Sequence, residues 1–419
     1  MKHSIVLGAV GDIMLARATA AQMKMHGFAW PMAEMRPVLS KADVLFGNME
    51  SVILPPDYPQ QQVDRRGLVT HFDGSAALRE AGFHFLNLAS NHILDGGTVG
   101  MFHTRQAIES QGILTGGIGE NQAEARRMRT IEKNGLRIGF LCYAEDCNYT
   151  LGTRGPCHAY YSRENVLEDI ERNKKDVDVL VVSLHADLEF METPSIPRRD
   201  NSREFARAGA TLILEHHPHV PQGVERIGNS LIAYSLGDFC FPVYSDSYLR
   251  AHLPNTARSY VLLAEVGKNG VEEFSREPLE ILQPPNERPA PATGAARAEI
   301  LQYLDTLDQK VQDDEVLART WREVSLETLD SLLLSLAAAR DPQVARRLLG
   351  RVLLVAGNRS WFDEACRAIA DDWSALVENE DAYHRPNYRF IEWDIPRRFA
   401  TGRRVFDAML RRLKRLARL

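Results

Sequence analysis

A chain of 419 residues with 44% hydrophobic and 25% charged side chains is long enough for one large domain and a smaller one, with a sizeable buried core. Its formal net charge of -6, from 50 basic and 56 acidic residues, argues against a dedicated nucleic-acid binder, which concentrates positive charge. Five cysteines (Cys142, Cys147, Cys157, Cys240, Cys366) without a C-x-x-C pair give no support to a zinc knuckle and fit free thiols in a reducing compartment.

In chain order, the first 280 or so residues alternate short apolar runs with amphipathic segments. Strands are expected at Ser4–Val10, Val44–Gly47, Phe85–Ala89, Arg137–Tyr143, Val179–Leu184, Thr211–Leu214 and Ser230–Ser235. Helical patterns fall between them at Gly74–Ala81, Val99–Gln111, Arg163–Lys174 and Ser202–Ala208. This alternation predicts parallel βαβ units covered on both faces. Gly116-Gly117-Ile118-Gly119 reads as a tight turn, because no G-x-x-x-x-G-K-[ST] phosphate loop is present. Tyr260–Val266 and Val271–Leu282, around Gly267–Gly270, predict a late antiparallel pair. A Pro/Ala/Gly-rich stretch at 284–296 reads as a linker, giving domains at 1–283 and 297–419. Beyond it, Arg297–Val311, Leu326–Ala339 and Asp341–Val355 have helical spacing. Arg403–Leu419 is a basic helix suited to packing on the domain or to contact with a membrane surface or partner protein. No run of about twenty apolar residues and no signal-peptide core occurs, so a cytoplasmic location is expected.

Metal-capable side chains cluster at the ends of the expected strands. Ile5–Val10 runs into Asp12; Val44–Phe46 into Asn48 and Glu50; Phe85–Ala89 into Asn91 and His92, with Asp95 a turn later. Val179–Leu184 runs into His185, with Asp187 and Glu189 behind it, and Thr211–Leu214 into Glu215-His216-His217-Pro218-His219. Singly, Asp12 reads as a helix cap, Asn91 as a turn residue and His185 as a core histidine. Together, five strand ends meet where an open α/β sheet binds ligands. Oxygen donors mixed with imidazoles suit Mn, Fe or Zn, one or two ions in all.

At these residues the chain resembles the CapA family of poly-γ-glutamate capsule biosynthesis proteins, a branch of the calcineurin-like metallophosphoesterase superfamily. The matching segments are Val10-Gly11-Asp12-Ile13-Met14-Leu15, Gly47-Asn48-Met49-Glu50, Asn87 to Asp95, Gly117 to Asn121, Val181 to His185, His216 to Val220 and Ile232 to Phe239. The resemblance implies a four-layer αββα sandwich with a helical C-terminal extension. It implies metal ligands at Asp12, Glu50, Asn91, His185, His217 and His219. His92 would be the general acid, oriented by Asp95, and Asn48, His216, Glu215 and Asp238 would stand behind the ligands or meet substrate. The superfamily usually has histidine where this chain has Met14, and CapA-like chains have glycine at Glu215 and asparagine at Asp238. If both acids face inward, they raise the preference for hard cations.

The implied reaction is hydrolysis of a phosphoester or a γ-glutamyl or other amide-type bond by a metal-activated water. Arg17, Arg65, Arg66, Arg154, Arg198 and Arg199 are candidates to grip an anionic small-molecule or peptide-like substrate. The alternative is a non-hydrolytic accessory protein that binds a polyglutamyl or other anionic chain.

Overall fold

The computed structural model describes residues 4–59, 67–145, 155–339, 341–354 and 361–369. Cys147, Arg65, Arg66, Arg154 and the basic 403–419 segment lie outside the described residues. The chain divides into two compact units, Met1–Ala318 and Arg319–Leu419.

Two sheets build the first unit. The larger, eight-stranded sheet runs in the order Pro289–Pro291, Gly270–Ile281, Arg258–Gly267, Ser4–Ile13, Val44–Met49, Phe85–Asn87, Leu114–Gly116, with Asp238–Cys240 pairing beside the end of Ser4–Ile13. Its central members are parallel, whereas Arg258–Gly267 and Gly270–Ile281 are antiparallel, as expected from the late strand pair. The six-stranded sheet runs Val224–Ile227, Ser230–Ala233, Leu212–His216, Val179–His185, Leu136–Ala144, Arg129–Lys133. Its four middle strands are parallel and both edges antiparallel.

The apolar alternation along each strand fixes the layers. Ile5, Leu7, Val44, Phe46 and Phe85 from one sheet share a cluster with Ile138, Phe140, Val179, Val181, Leu212 and Leu214 from the other. The intervening residues face outward. Leu45, Met49 and Leu86 pack with Leu78, Met101 and Ile108 of the helices Ser75–Ala81 and Gly97–Ser110. On the opposite side, Leu180, Val182, Leu184 and Ile213 pack with Val166, Ile170, Phe205 and Ala206 of the helices Arg163–Asn173 and Ile196–Ala208. Helix, sheet, sheet, helix is the four-layer α/β order that the resemblance implies.

The 284–296 stretch is not a bare linker. Pro289–Pro291 forms an edge strand on Gly270–Ile281, a position that tolerates prolines because it need not donate to a further strand. Helix Gly294–Gln312 follows at once and buries Ile300, Leu304 and Leu307 in the cluster between the sheets. The second unit is helical where described, with Pro342–Leu354 and the helical residues 361–369 following the long helix Asp314–Ala338. Arg322 donates to the Ala368 carbonyl at 3.3 Å within it. Among the described residues, no helix is long and apolar enough to cross a membrane.

Candidate metal centre

The face that forms the apolar core between the sheets turns polar at the carboxyl ends of its strands. Phe46 is followed on that face by Asn48, Phe85 by Asn87, Val181 by Ser183 and His185, and Leu214 by His216. Phe85 stacks on Phe140 at 4.1 Å, and Phe46 lies 5.9 Å from both Phe85 and the His216 ring, so an aromatic floor underlies the polar groups. Gly11 admits the first of them: a Cβ there would lie 1.8 Å from the Gly237 carbonyl oxygen, which accepts the Asp12 amide at 3.0 Å. The following loops take left-handed backbone at Asp187 (φ 86), Phe190 (φ 63), His217 (φ 97) and His219 (φ 58). Non-glycine residues rarely adopt this region, and a local cluster of them is characteristic of functional loops.

These loops and strand ends bring Asp12, Asn48, Glu50, Asn91, His185, His216, His217, His219 and Asp238 together. Asn48 donates from Nδ2 to Asp12 Oδ1 at 2.7 Å and lies 3.1 Å from His185 Nδ1. Its own oxygen accepts from Asn87 at 2.7 Å. His185 Nε2 is 3.0 Å from Asn91 Oδ1 and 3.6 Å from Glu50 Oε1. His219 places Nε2 3.6 Å from Glu50 Oε1, while Nδ1 pairs with Asp238 Oδ1 at 2.9 Å and lies 3.7 Å from Asp12 Oδ2. The His217 amide donates to Asp12 Oδ2 at 3.2 Å, and His216 Nδ1 is 3.6 Å from Asp12 Oδ1. Among the described residues, three sets offer ligand atoms within 4.8 Å of one another: Glu50–His185–His217, Asp12–His219–Asp238 and Glu189–His217–His219.

The electrostatics match a cation-binding pocket. Burial pushes the Asp12 carboxyl up to about 7, against the pull of His219, and raises Glu50 well above its ordinary value. Burial and the neighbouring imidazoles hold His185 far below the usual histidine range; burial brings His217 down to about 4 and His216 to about 3. Burial pulls His219 down as well, yet Glu50, Asp238 and Asp12 together hold it well above its ordinary value. Both Glu50 oxygens, both His216 ring nitrogens, His217 Nδ1 and Asp238 Oδ2 are buried without a hydrogen-bond partner. Each such orphan costs about 1–3 kcal/mol. A divalent ion among neutral imidazoles and these carboxylates satisfies several at once, so the donor set fits a metal.

His92 and Asp95 lie on the turn after Phe85–Asn87. Asp95 Oδ2 is 2.6 Å from His92 Nδ1 and also accepts the Leu68 amide at 2.7 Å. The Asp95 side chain is fully buried while 17% of the His92 side chain meets solvent, so the carboxylate fixes an imidazole at the rim.

The two acids expected to face inward are separated. Asp238 is in register with Asp12 on the adjoining strand and joins the histidines. Glu215 does not. Next to His216 on the same strand, it points to the opposite face, where Arg198 Nε donates to it at 2.7 Å and Ser202 Oγ at 2.5 Å. It is paired under the helix Ile196–Ala208 instead of being added to the candidate metal-binding groups. Of the candidate arginines, Arg198 is thus committed to Glu215, Arg199 to Asp314 at 2.6 Å and Arg17 to Asp246 at 2.6 Å. Met14 is fully buried in the apolar cluster with Val10, Ile13 and Leu15. Asn87, which ties Asn48 in place, and Glu189, which joins His217 and His219, complete the site without having been singled out as site residues. The alternation Phe85–Asn87 was the available signal for the first; Glu189 depends on the loop's fold.

The family described as bacterial capsule synthesis protein PGA_cap matches residues 6–243, which carry every candidate metal-centre residue named above. The chain belongs to this family. It is similar to the PGA biosynthesis protein CapA of Bacillus subtilis, 27% identical over 275 residues covering 65% of this chain and 70% of that one. It is 28% identical over 249 residues to the capsule biosynthesis protein CapA of Bacillus anthracis, covering 57% and 60% respectively. The chain thus spans between 60% and 70% of the length of these two relatives. A hypothetical protein from Thermus thermophilus aligns in structure over 66% of this chain and 99% of its own, with 15% identity and a TM-score of 0.41. All the PGA_cap positions discussed lie within the first unit.

Proposed function

We propose that this chain is a metal-dependent hydrolase acting on a γ-glutamyl or other amide-type bond, or on a phosphoester, in an anionic substrate. The observation that carries the reading is Glu50: a fully buried carboxylate with no hydrogen-bond partner, faced by His185 Nε2 and His219 Nε2 at 3.6 Å each. Asp12, Glu50, Asn91, His185, His217 and His219 would hold one or two ions, with Mn, Fe or Zn best suited to the mixed donors. A divalent ion so held supplies an activated water and polarises the bond under attack. Asn48, itself held by Asn87, orients Asp12. Asp238 orients His219 as carboxylates commonly orient metal-binding imidazoles. Asp95 holds His92 by Nδ1, and the imidazole so oriented would protonate the departing oxygen or nitrogen. Membership of a capsule-synthesis family supports a polyglutamyl substrate; the metal-capable strand ends support hydrolysis of either bond type.

The test combines metal content with turnover. Protein purified without chelators should carry metal by plasma mass spectrometry, and Mn²⁺-loaded protein should cleave a γ-glutamyl peptide or a generic phosphodiester. His92→Ala should lower that turnover by about 10²-fold or more while keeping the metal. Metal content near zero, or loaded protein inert on both substrates, would favour an accessory protein that binds an anionic chain, a role consistent with Met14 at a usual ligand position.

A further inference from the structure

We propose that Glu189 is an additional metal ligand on the solvent side of this centre, and that Tyr248 positions it. The inference rests on the metal-dependent reading above and adds a residue and a rim element to it. His217 belongs to two ligand sets, one with the inner Glu50 and His185 and one with Glu189 and His219. The imidazole therefore stands between an inner carboxylate and an outer one. His217, His219 and Glu189 could together hold an ion, Glu189 supplying a hard oxygen donor from the partly exposed side.

The chain places Glu189 there by construction. After His185, the strained backbone at Asp187 and Phe190 turns the loop back over the histidines. The Phe190 amide donates to the Pro218 carbonyl at 2.8 Å, joining this loop to the His217–His219 turn. Tyr248 donates its hydroxyl to Glu189 Oε2 and thereby fixes the rotation of the carboxylate. The tyrosine is 56% exposed, on the short helix Ser247–Arg250. Phe190 packs edge-on against Tyr248 at 4.9 Å and flat on His252 at 3.7 Å, so an aromatic rim braces the contact. Asp246 caps the Tyr248 helix and pairs with Arg17, five residues beyond the inner ligand Asp12. The rim is thus anchored on the segment that also delivers the inner site.

The experiment compares wild type with Glu189→Gln, Glu189→Ala and Tyr248→Phe, each checked for native far-ultraviolet circular dichroism. Mn²⁺ affinity is read by electron paramagnetic resonance and metal geometry by the visible absorption of Co²⁺-loaded protein. Both Glu189 variants should weaken Mn²⁺ binding about ten-fold or more and alter the Co²⁺ bands. Tyr248→Phe should produce a smaller loss with a spectral change of the same kind, which a merely structural tyrosine would not cause. Wild-type affinity and an unchanged Co²⁺ spectrum in a folded Glu189→Gln protein would overturn this inference while leaving the metal centre standing. Wild-type protein that takes up no metal would remove the underlying functional reading as well.

Discussion

Replacing Arg198 with methionine should destabilise the protein in a pH-dependent way. Arg198 and Glu215 are 2.7 Å apart, with side chains only 3% and 2% exposed. Removing the arginine leaves a carboxylate in an apolar layer, held by Ser202 alone. Breaking one side of a buried pair costs about 3–5 kcal/mol, most of it the penalty of the charge left behind. Loss of the guanidinium from its place 5.0 Å from the Tyr161 ring adds about 1 kcal/mol. For a unit of this size the melting midpoint should fall by about 10 °C. Burial already pushes Glu215 from 4.5 up to about 7 with Arg198 present. A carboxyl raised in the folded state contributes stability that is complete below its unfolded pKa and lost as pH rises through its folded value. Without Arg198 that value climbs further, so the mutational cost should be small near about pH 5 and largest near about pH 8. Urea denaturation followed by circular dichroism at both pH values measures it. Adding Glu215→Leu should recover most of the loss, because the double variant no longer buries the Glu215 charge that Arg198 pairs with. A cost below about 1 kcal/mol that does not change with pH would refute the reasoning, since it would mean that Glu215 carries no buried charge to compensate.

Four further outcomes follow from the site. Asp95→Asn should lower turnover about 10- to 100-fold with little change in KM, because it loosens His92 without touching the ligand set; steady-state kinetics on the Mn²⁺-loaded protein decide this. In metal-free protein, Asp12 should contribute a loss of stability as pH rises from about 4 through 7, the range over which it ionises against its burial, and the difference between wild type and Asp12→Asn should change with pH in that window. Restoring metal at a hundred times its dissociation constant should return about 2.7 kcal/mol, and an unshifted melting curve on metal addition would count against the centre. Gly11→Ala should cost about 2–3 kcal/mol, because the new Cβ meets the Gly237 carbonyl at 1.8 Å and backbone cannot step aside like a side chain; a midpoint unchanged in thermal denaturation would show that the strand crossing is slack.

Much of the site was legible because it is built from strand ends, and a strand end shows in sequence as an apolar run meeting a polar residue. Asp12, Asn48, Glu50, His185 and the His216–His219 run all sit where such runs stop, and the structure brings them together. The nearby Ser75–Ala81 and Gly97–Ser110 helices were visible for a similar reason, since their apolar spacing survives without knowledge of what they face. The Arg17–His26 helix was not: its Thr19, Ala20 and Met23 are too weakly apolar a stripe to stand out, and it is held by packing on the strands. Glu189 was visible as a residue near His185 but not as a partner of His217, because that meeting depends on left-handed backbone at Asp187 and Phe190 and on Tyr248, 59 residues further along the chain.

Which way Glu215 faces, by contrast, is legible in the strand itself. Contiguity suggests that Glu215 shares the site of His216, but a strand alternates faces with every residue. Leu212 and Leu214 face the other sheet, so His216 must face it too, and Ile213 and Glu215 must face the covering helix. A buried acid on that face needs a cation from the helix, and Arg198, in the first turn of Ile196–Ala208 with its amide bound to the Ser195 cap, is placed to supply it. The pair lies directly beneath the histidine turn. If Glu215 anchors the strand end from below, Arg198→Met should weaken metal binding through His217 and His219 even though it removes no ligand, and Glu215→Leu in the same protein should restore metal affinity along with stability. Affinity that stays at the wild-type level in the folded single variant would show that the turn is held by its own backbone alone.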